Sequence, residues 1–220
     1  MDHRRAIDDL RKLAARDEEL AIKERALQQL DADVRMIRER AEAMSLFFAG
    51  YAEARGRADS VVATAEAEVL NRRREVTEAE ASLAAEREEE RGELARRALA
   101  RAEDHLSVAE LAVARARAEA DRLAQAAQDW QDELPALEDD ARRLSRDLPD
   151  VAPPPASGPE ALISWASHAH AALFVAVRQI ETERERVNRE SNELASALIG
   201  EPTYGSTPAQ ALVRAEQRVA

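Results

Sequence analysis

From Leu99 onward every seventh residue is apolar: Leu106, Val113, Ala120, Ala127, Leu134, Ala141 and Leu148 follow in turn. A second row starts at Ala95 and runs through Ala102, Ala109, Ala116, Leu123, Trp130, Leu137 and Leu144. The rows alternate at spacings of three and four, and most positions between them are polar. That is the a/d pattern of a helix with one narrow apolar seam, built to lie against another helix.

The same pattern extends to both sides. A first helix is expected over residues 2–49, with Asp2 as its N-cap. Leu13, Leu20, Leu27, Val34, Ala41 and Phe48 repeat in sevens, joined by Leu30, Ile37, Met44 and Tyr51. Upstream the second row is polar, at Asp17 and Glu24. Gly50 and Gly56 mark the expected turn, near residues 50–56. The next helix carries Val62, Val69, Val76 and Leu83 beside Ala58, Ala65 and Ala79, with Arg72 interrupting. Through Glu86-Arg87-Glu88-Glu89-Glu90-Arg91-Gly92 there is no seam, and when the rows resume they have slipped by two residues. That slip turns the buried stripe about 200° around a continuous helix. Pro135 falls inside the pattern, where proline costs about 3 kcal/mol and predicts a bend or a break.

After Leu148 the proline-rich stretch 149–158 reads as a stiff linker. Ser157-Gly158-Pro159-Glu160 has the order of a capping box. A third helix is expected over 159–199, on Ala166, Leu173, Ile180, Val187 and Leu194, with Arg184 among its alternate positions. Gly200 and Pro202 end it. Residues 200–220 then form a loop and a short helix on Leu212 and Ala215, opened by a second box, Thr207-Pro208-Ala209-Gln210. The expected fold is all-α: 1–148 as long antiparallel coiled-coil helices, a linker, and a third helix. The first and third helices would fold back along opposite halves of a long second one, as in a letter S. In that drawing Trp130 packs near Phe174.

Composition supports seams rather than a globular core. Apolar residues make up 45% of the chain but aromatics only 3%, and charged residues 35%. Seams of Ala and Leu close up without leaving an enzyme-sized pocket. The net charge of −12 repels nucleic-acid phosphate and anionic lipid. Arg91, Arg96, Arg97 and Arg101 stand among Glu89, Glu90, Glu93 and Glu103, which reads as a salt-bridged solvated face. Cysteine is absent, which removes disulfides, thiolate metal sites and thiol nucleophiles. No signal-peptide pattern follows Met1, and the longest mainly apolar run, Ala169 to Val177, is too short to span a bilayer. A soluble cytoplasmic protein is the expectation.

Little in the sequence suggests chemistry. His168 and His170 are two apart, on opposed faces of a helix, whereas helical metal ligands sit at i and i+4. His3 and His105 stand alone. Tyr204-Gly205-Ser206-Thr207-Pro208 has the make-up of a phosphate-binding loop before a helix, but ordinary capping accounts for it. No catalytic residue, metal site, cofactor or small-molecule substrate is expected. The informative stretch is Ala43–Tyr51, whose apolar residues cannot all face one seam. Leu46, Phe47 and Tyr51 are candidates for protein interaction there, with Phe48 directed into the seam. Trp165 is a further candidate at the rim of a Trp130–Phe174 cluster. Asp17, Glu24, Arg72 and Arg184, polar in otherwise apolar rows, suggest self-association.

These features point to a non-enzymatic coiled-coil structural or adaptor protein that mediates protein–protein assembly. The alternation of long heptad stretches with polar breaks over residues 2–148 also resembles the arms of SMC/Rad50-type ATPases. The family's nucleotide-binding motifs are missing, so the resemblance implies an arm-like piece or a partner subunit of a DNA-organising complex. Length, acidity and helical hairpins look like phage-shock/ESCRT-III membrane-remodelling proteins, although residues 1–10 are too charged for that family's membrane helix.

Overall fold

The computed structural model describes residues 3–219; the expected cap Asp2 lies outside them. The described chain is all-helical, with no strand. Its helices are α1 (His3–Ala85), α2 (Glu89–Leu144), α3 (Pro159–Ile199) and α4 (Pro208–Val219). They divide into two compact units. Unit 1 holds the described residues through Glu42 and those from Ala136 onward, and unit 2 is Ala43–Pro135.

Helix α1 passes through Gly50 and Gly56 without interruption, so the turn expected near 50–56 is not there. An added Cβ at either glycine would meet nothing within 4 Å. Each glycine weakens the helix by roughly 1 kcal/mol and no more. The chain reverses instead at Glu86-Arg87-Glu88, inside the run that lacks a seam. Within a helix Glu86, Glu88, Glu89 and Glu90 would repel one another. At the start of α2 the exposed N–H groups attract them. Glu86 Oε1 accepts from the backbone N–H of Arg87 at 3.2 Å and of Glu88 at 3.3 Å. The Gly92 N–H closes the first turn on the Glu88 carbonyl at 2.9 Å. The long second helix of the expected S is therefore divided between α1 and α2.

In unit 2 the later part of α1 meets α2. Arg55 donates to the Ala120 carbonyl, Glu66 pairs with Arg117 and Arg73 with Glu110. Partner numbers fall as residue numbers rise, which is the order of two helices running in opposite directions. Every member of the two rows that begin at Leu99 and Ala95 is buried or half-buried. Pro135 sits inside α2 without ending it, because it is exposed and off both rows.

In unit 1, α3 runs back along α1. His170 meets Asp31, Arg184 meets Asp17 and Glu24, and Arg16 lies 3.9 Å from Glu183. The core takes Val34, Ile37 and Ala41 from α1, Leu137, Ala141 and Leu144 from α2, and Leu162, Ala166, Ala169 and Leu173 from α3. At its far end Ile7 and Leu10 of α1 pack with Ala195 of α3 and with Ala211 and Ala215 of α4.

The connections are held by side chains. Ser157 does not cap α3. The cap position is Gly158, at φ 113° and ψ 163°, a conformation essentially reserved to glycine. The Ser157 hydroxyl donates to Glu138 of α2, and the Gly158 N–H donates to the same oxygen at 2.9 Å. Helix α3 ends on Gly200 in the left-handed conformation, its N–H on the Ser196 carbonyl at 2.9 Å. Helix α4 opens with a reciprocal box. The Thr207 N–H donates to Gln210 Oε1 at 3.1 Å, and the Gln210 N–H to Thr207 Oγ1 at 3.3 Å.

Candidate protein-interaction surface

The segment Ala43–Tyr51 belongs to unit 2, and its apolar residues divide around α1. Met44 is buried. Phe47, Phe48 and Tyr51 are half-buried. Phe47 is the hub of an aromatic cluster, with ring centroids 5.3 Å from Phe48, 5.5 Å from Tyr51 and 6.5 Å from Trp130 of α2. The expectation that Phe47 points away from α2 is therefore corrected. With the chain reversing at 86–88, residue 47 comes opposite residue 130, and Phe47 faces the partner helix. Leu46 is 78% exposed, and of the residues proposed for interaction it alone presents most of its surface.

Trp165 is not at a rim. It is 3% exposed in the core of unit 1, and its Nε1–H donates to Ser145 Oγ at 2.9 Å. A buried indole with a satisfied N–H is a structural anchor, so Trp165 is withdrawn as an interaction residue. Trp130 belongs to the Phe47 cluster, and Phe174 is exposed with the Arg178 guanidinium carbon 5.4 Å from its ring centroid.

The polar interruptions of the rows find partners within the chain. Arg184 Nε donates to Asp17 Oδ1 at 3.0 Å and its Nη1 to Glu24 Oε2 at 2.8 Å. Arg72 is bound by Glu68 and Glu75 of its own helix. These residues accordingly give no reason for self-association. A neighbouring pair joins His170 Nδ1 to Asp31 Oδ1 at 2.7 Å. Burial would raise the Asp31 carboxyl, yet hydrogen bonds from His170 and Arg35 hold it below its ordinary value. His168 bonds the Ser164 carbonyl of its own turn, so the two histidines serve separate local roles. Among the described residues no group of three or more His, Asp or Glu side chains could hold a metal ion.

The loop 204–208 borders a cleft of about 320 Å³ shared with Asn188, Arg189, Asn192 and Glu193. Asn192 Nδ2 donates to the Asn188 and Ser206 carbonyls, and Thr203 is tied to Ser196 and to the Asn192 carbonyl. Asn188 Oδ1, Ser191 Oγ and Asn192 Oδ1 are buried without a hydrogen-bond partner. The cleft sets one base, Arg189, beside one acid, Glu193, and capping accounts for Thr207. Helix α3 is the one described helix long and apolar enough, by length and composition, to cross a membrane. Its Leu162, Trp165, Ala166, Ala169 and Leu173 are buried in unit 1.

Unit 2 leaves several of its large apolar side chains outside. Apart from Met44 and Val69, its buried apolar side chains are alanines: Ala102, Ala109, Ala120 and Ala127. Leu46, Val61, Leu70, Leu94, Val108 and Leu111 are exposed. The signal was present, because none of these six belongs to a heptad row. Comparison with protein-family models, curated proteins and solved structures finds no match to this chain.

Proposed function

We propose that this chain is a non-enzymatic structural or adaptor protein whose helices, packed as antiparallel coiled coils, mediate assembly with other protein chains. The observation that supports it is the surface of unit 2. Two helices alone bury little, and here the small side chains lie inside while six large ones face solvent. Exposed apolar groups on a highly charged helix pair are unfavourable unless another protein covers them. The two clefts along unit 2 are open grooves between its helices, lined by apolar, small and charged side chains.

A photo-crosslinking amino acid in place of Leu46, with Glu53 on the same helix as control, tests the reading in cells. A covalent protein adduct from position 46 and none from position 53 is the expected result. Absence of any protein adduct from positions 46, 94 and 111 would refute it. Co-sedimentation with duplex DNA or with anionic vesicles covers the rival classes. At a net charge of −12 neither should carry the protein down. Micromolar DNA binding would shift the reading to an arm-like subunit of a DNA-organising complex, and vesicle binding to membrane remodelling.

A further inference from the structure

On one side of unit 2 the two helices leave a groove of about 420 Å³. Its floor is Val69 and Leu70 of α1 with Val113 and Ala114 of α2. Val69 is buried and Val113 half-buried, but Leu70 is 57% exposed. Two ion pairs close the ends. At one end Arg117 Nη2 donates to Glu66 Oε1 at 2.6 Å, and at the other Arg73 Nη2 donates to Glu110 Oε1 at 3.1 Å. Each helix therefore carries an acid and, seven residues later, a base. Because the helices are antiparallel, the four charges alternate around the groove.

That arrangement is its own complement. Lay a second copy face down on the groove about a two-fold axis that crosses it at right angles. Glu66 then meets the second copy's Arg73, Glu110 meets the second copy's Arg117, and Leu70 meets Leu70. A two-fold axis along the groove pairs Glu66 with Arg117 and Arg73 with Glu110 of the other copy. Under either operation no like charges face each other, and Leu70 leaves water. A foreign helix would have to bring charges in this order, whereas a second copy brings them by symmetry. The groove on the other side, lined by Ser60, Val61, Thr64, Ala65, Ala109 and Ala112, has Glu68 as its one charged wall residue and no such pattern.

We propose that the groove between Glu66–Arg73 and Glu110–Arg117 is a homodimer interface, occupied by the same groove of a second copy of this chain. The inference rests on the assembly reading above and names one partner for it. Sedimentation equilibrium of the full chain is expected to show a monomer–dimer equilibrium. Leu70→Glu should weaken it at least tenfold. Val108→Glu, at a site 66% exposed on the far side of α2 from the groove, should leave it unchanged. Should Leu70→Glu lose helicity by circular dichroism, Leu70→Ala replaces it, with an expected weakening of at least threefold.

A fourfold variant, Glu66→Arg with Arg73→Glu, Glu110→Arg and Arg117→Glu, keeps both ion pairs within each chain. It should dimerise with itself and fail to exchange with the wild type. A wild-type chain that stays monomeric at every concentration overturns the proposal. So does equal weakening by Val108→Glu and Leu70→Glu, or free mixing of the reversed and wild-type chains. A monomer that still forms an adduct from Leu46 with a different protein would remove the homodimer and leave the assembly reading standing.

Discussion

Glu138 joins the end of α2 to the start of α3, and replacing it tests how unit 1 is closed. The residue is 7% exposed. One oxygen accepts from the Ser157 hydroxyl and the Gly158 N–H, and the other from Arg142 Nη2 at 3.2 Å. Hydrogen bonds to a charged acceptor contribute about 1.5–3 kcal/mol each when shielded, and the half-exposed Arg142 pair contributes well under 1 kcal/mol. Glu138→Ala should therefore destabilise the fold by about 3 kcal/mol, lowering the melting midpoint by about 6–12 °C for a chain of this size. Glu138→Gln keeps an acceptor for both donors but loses the charge, and should cost about 1 kcal/mol. Denaturant unfolding is followed by Trp165 fluorescence in a Trp130→Phe background, so that the signal comes from unit 1. If both variants unfold within about 0.5 kcal/mol of the parent, the carboxylate does not hold the connection and the reasoning fails.

The pH dependence gives the same test another form. The Ser157 hydrogen bond, opposed by burial but helped by the Gly158 N–H and Arg142, holds Glu138 below its ordinary value near 4.5. A depressed native value means that the unfolded chain binds the proton more readily. This stabilisation is thus complete above the unfolded value and is lost as pH falls through the lower native one. The difference between wild type and Glu138→Gln should be constant from about pH 6 upward and close in the acid range below 4.5.

Gly50→Ala and Gly56→Ala should each stabilise by about 0.5–1 kcal/mol, because both lie inside a helix with open space at the Cβ position. Destabilisation by either in thermal melts would restore a turn at 50–56. Phe47→Ser should lower stability by about 2–3 kcal/mol, since it removes the hub of the Trp130 cluster, and a silent Phe47→Ser in denaturant titrations would contradict that packing. Leu123→Asp, in the half-buried row of α2, should cost about 2 kcal/mol, against under 0.5 kcal/mol for the exposed Gln125→Asp; equal melting of the two would show that the register is wrong.

The rows of α2 were legible in the sequence because a heptad is a local property. Its phase depends only on which side chains within a few turns are apolar, and Leu99, Leu106 and Val113 read the same whatever they pack against. Where the chain reverses is not local in that sense. Two glycines in a strong helix weaken it by roughly 2 kcal/mol together, less than the burial of Met44, Phe47 and Tyr51 that a break beside them would disturb. Composition makes Gly50 and Gly56 look like punctuation, and packing overrides it. The slip of two residues near Gly92 had a simpler meaning than a stripe wandering around one helix. At a reversal the two arms need share no phase, so a slip marks the turn itself. Leu46 and Phe47 both lie outside the heptad rows, yet only Leu46 is exposed, because Phe47 turns onto Trp130.

The pairing of α3 with α1 had a signal in the sequence too, in the positions that break the rows. Asp17 and Glu24 interrupt the first helix seven residues apart, and Arg184 interrupts the third. An unpaired charge in a half-buried seam is costly, so two acids in one row call for a base in the row opposite. Setting Arg184 against Asp17 and Glu24 fixes both partner and direction, and it brings His170 to Asp31 and Ala195 to the level of Leu10, as observed. Apolar rows of Leu and Ala are nearly interchangeable and would accept several pairings. The three charges accept one, so in unit 1 the seam polarity that weakens the helices individually is what selects the helix each lies against.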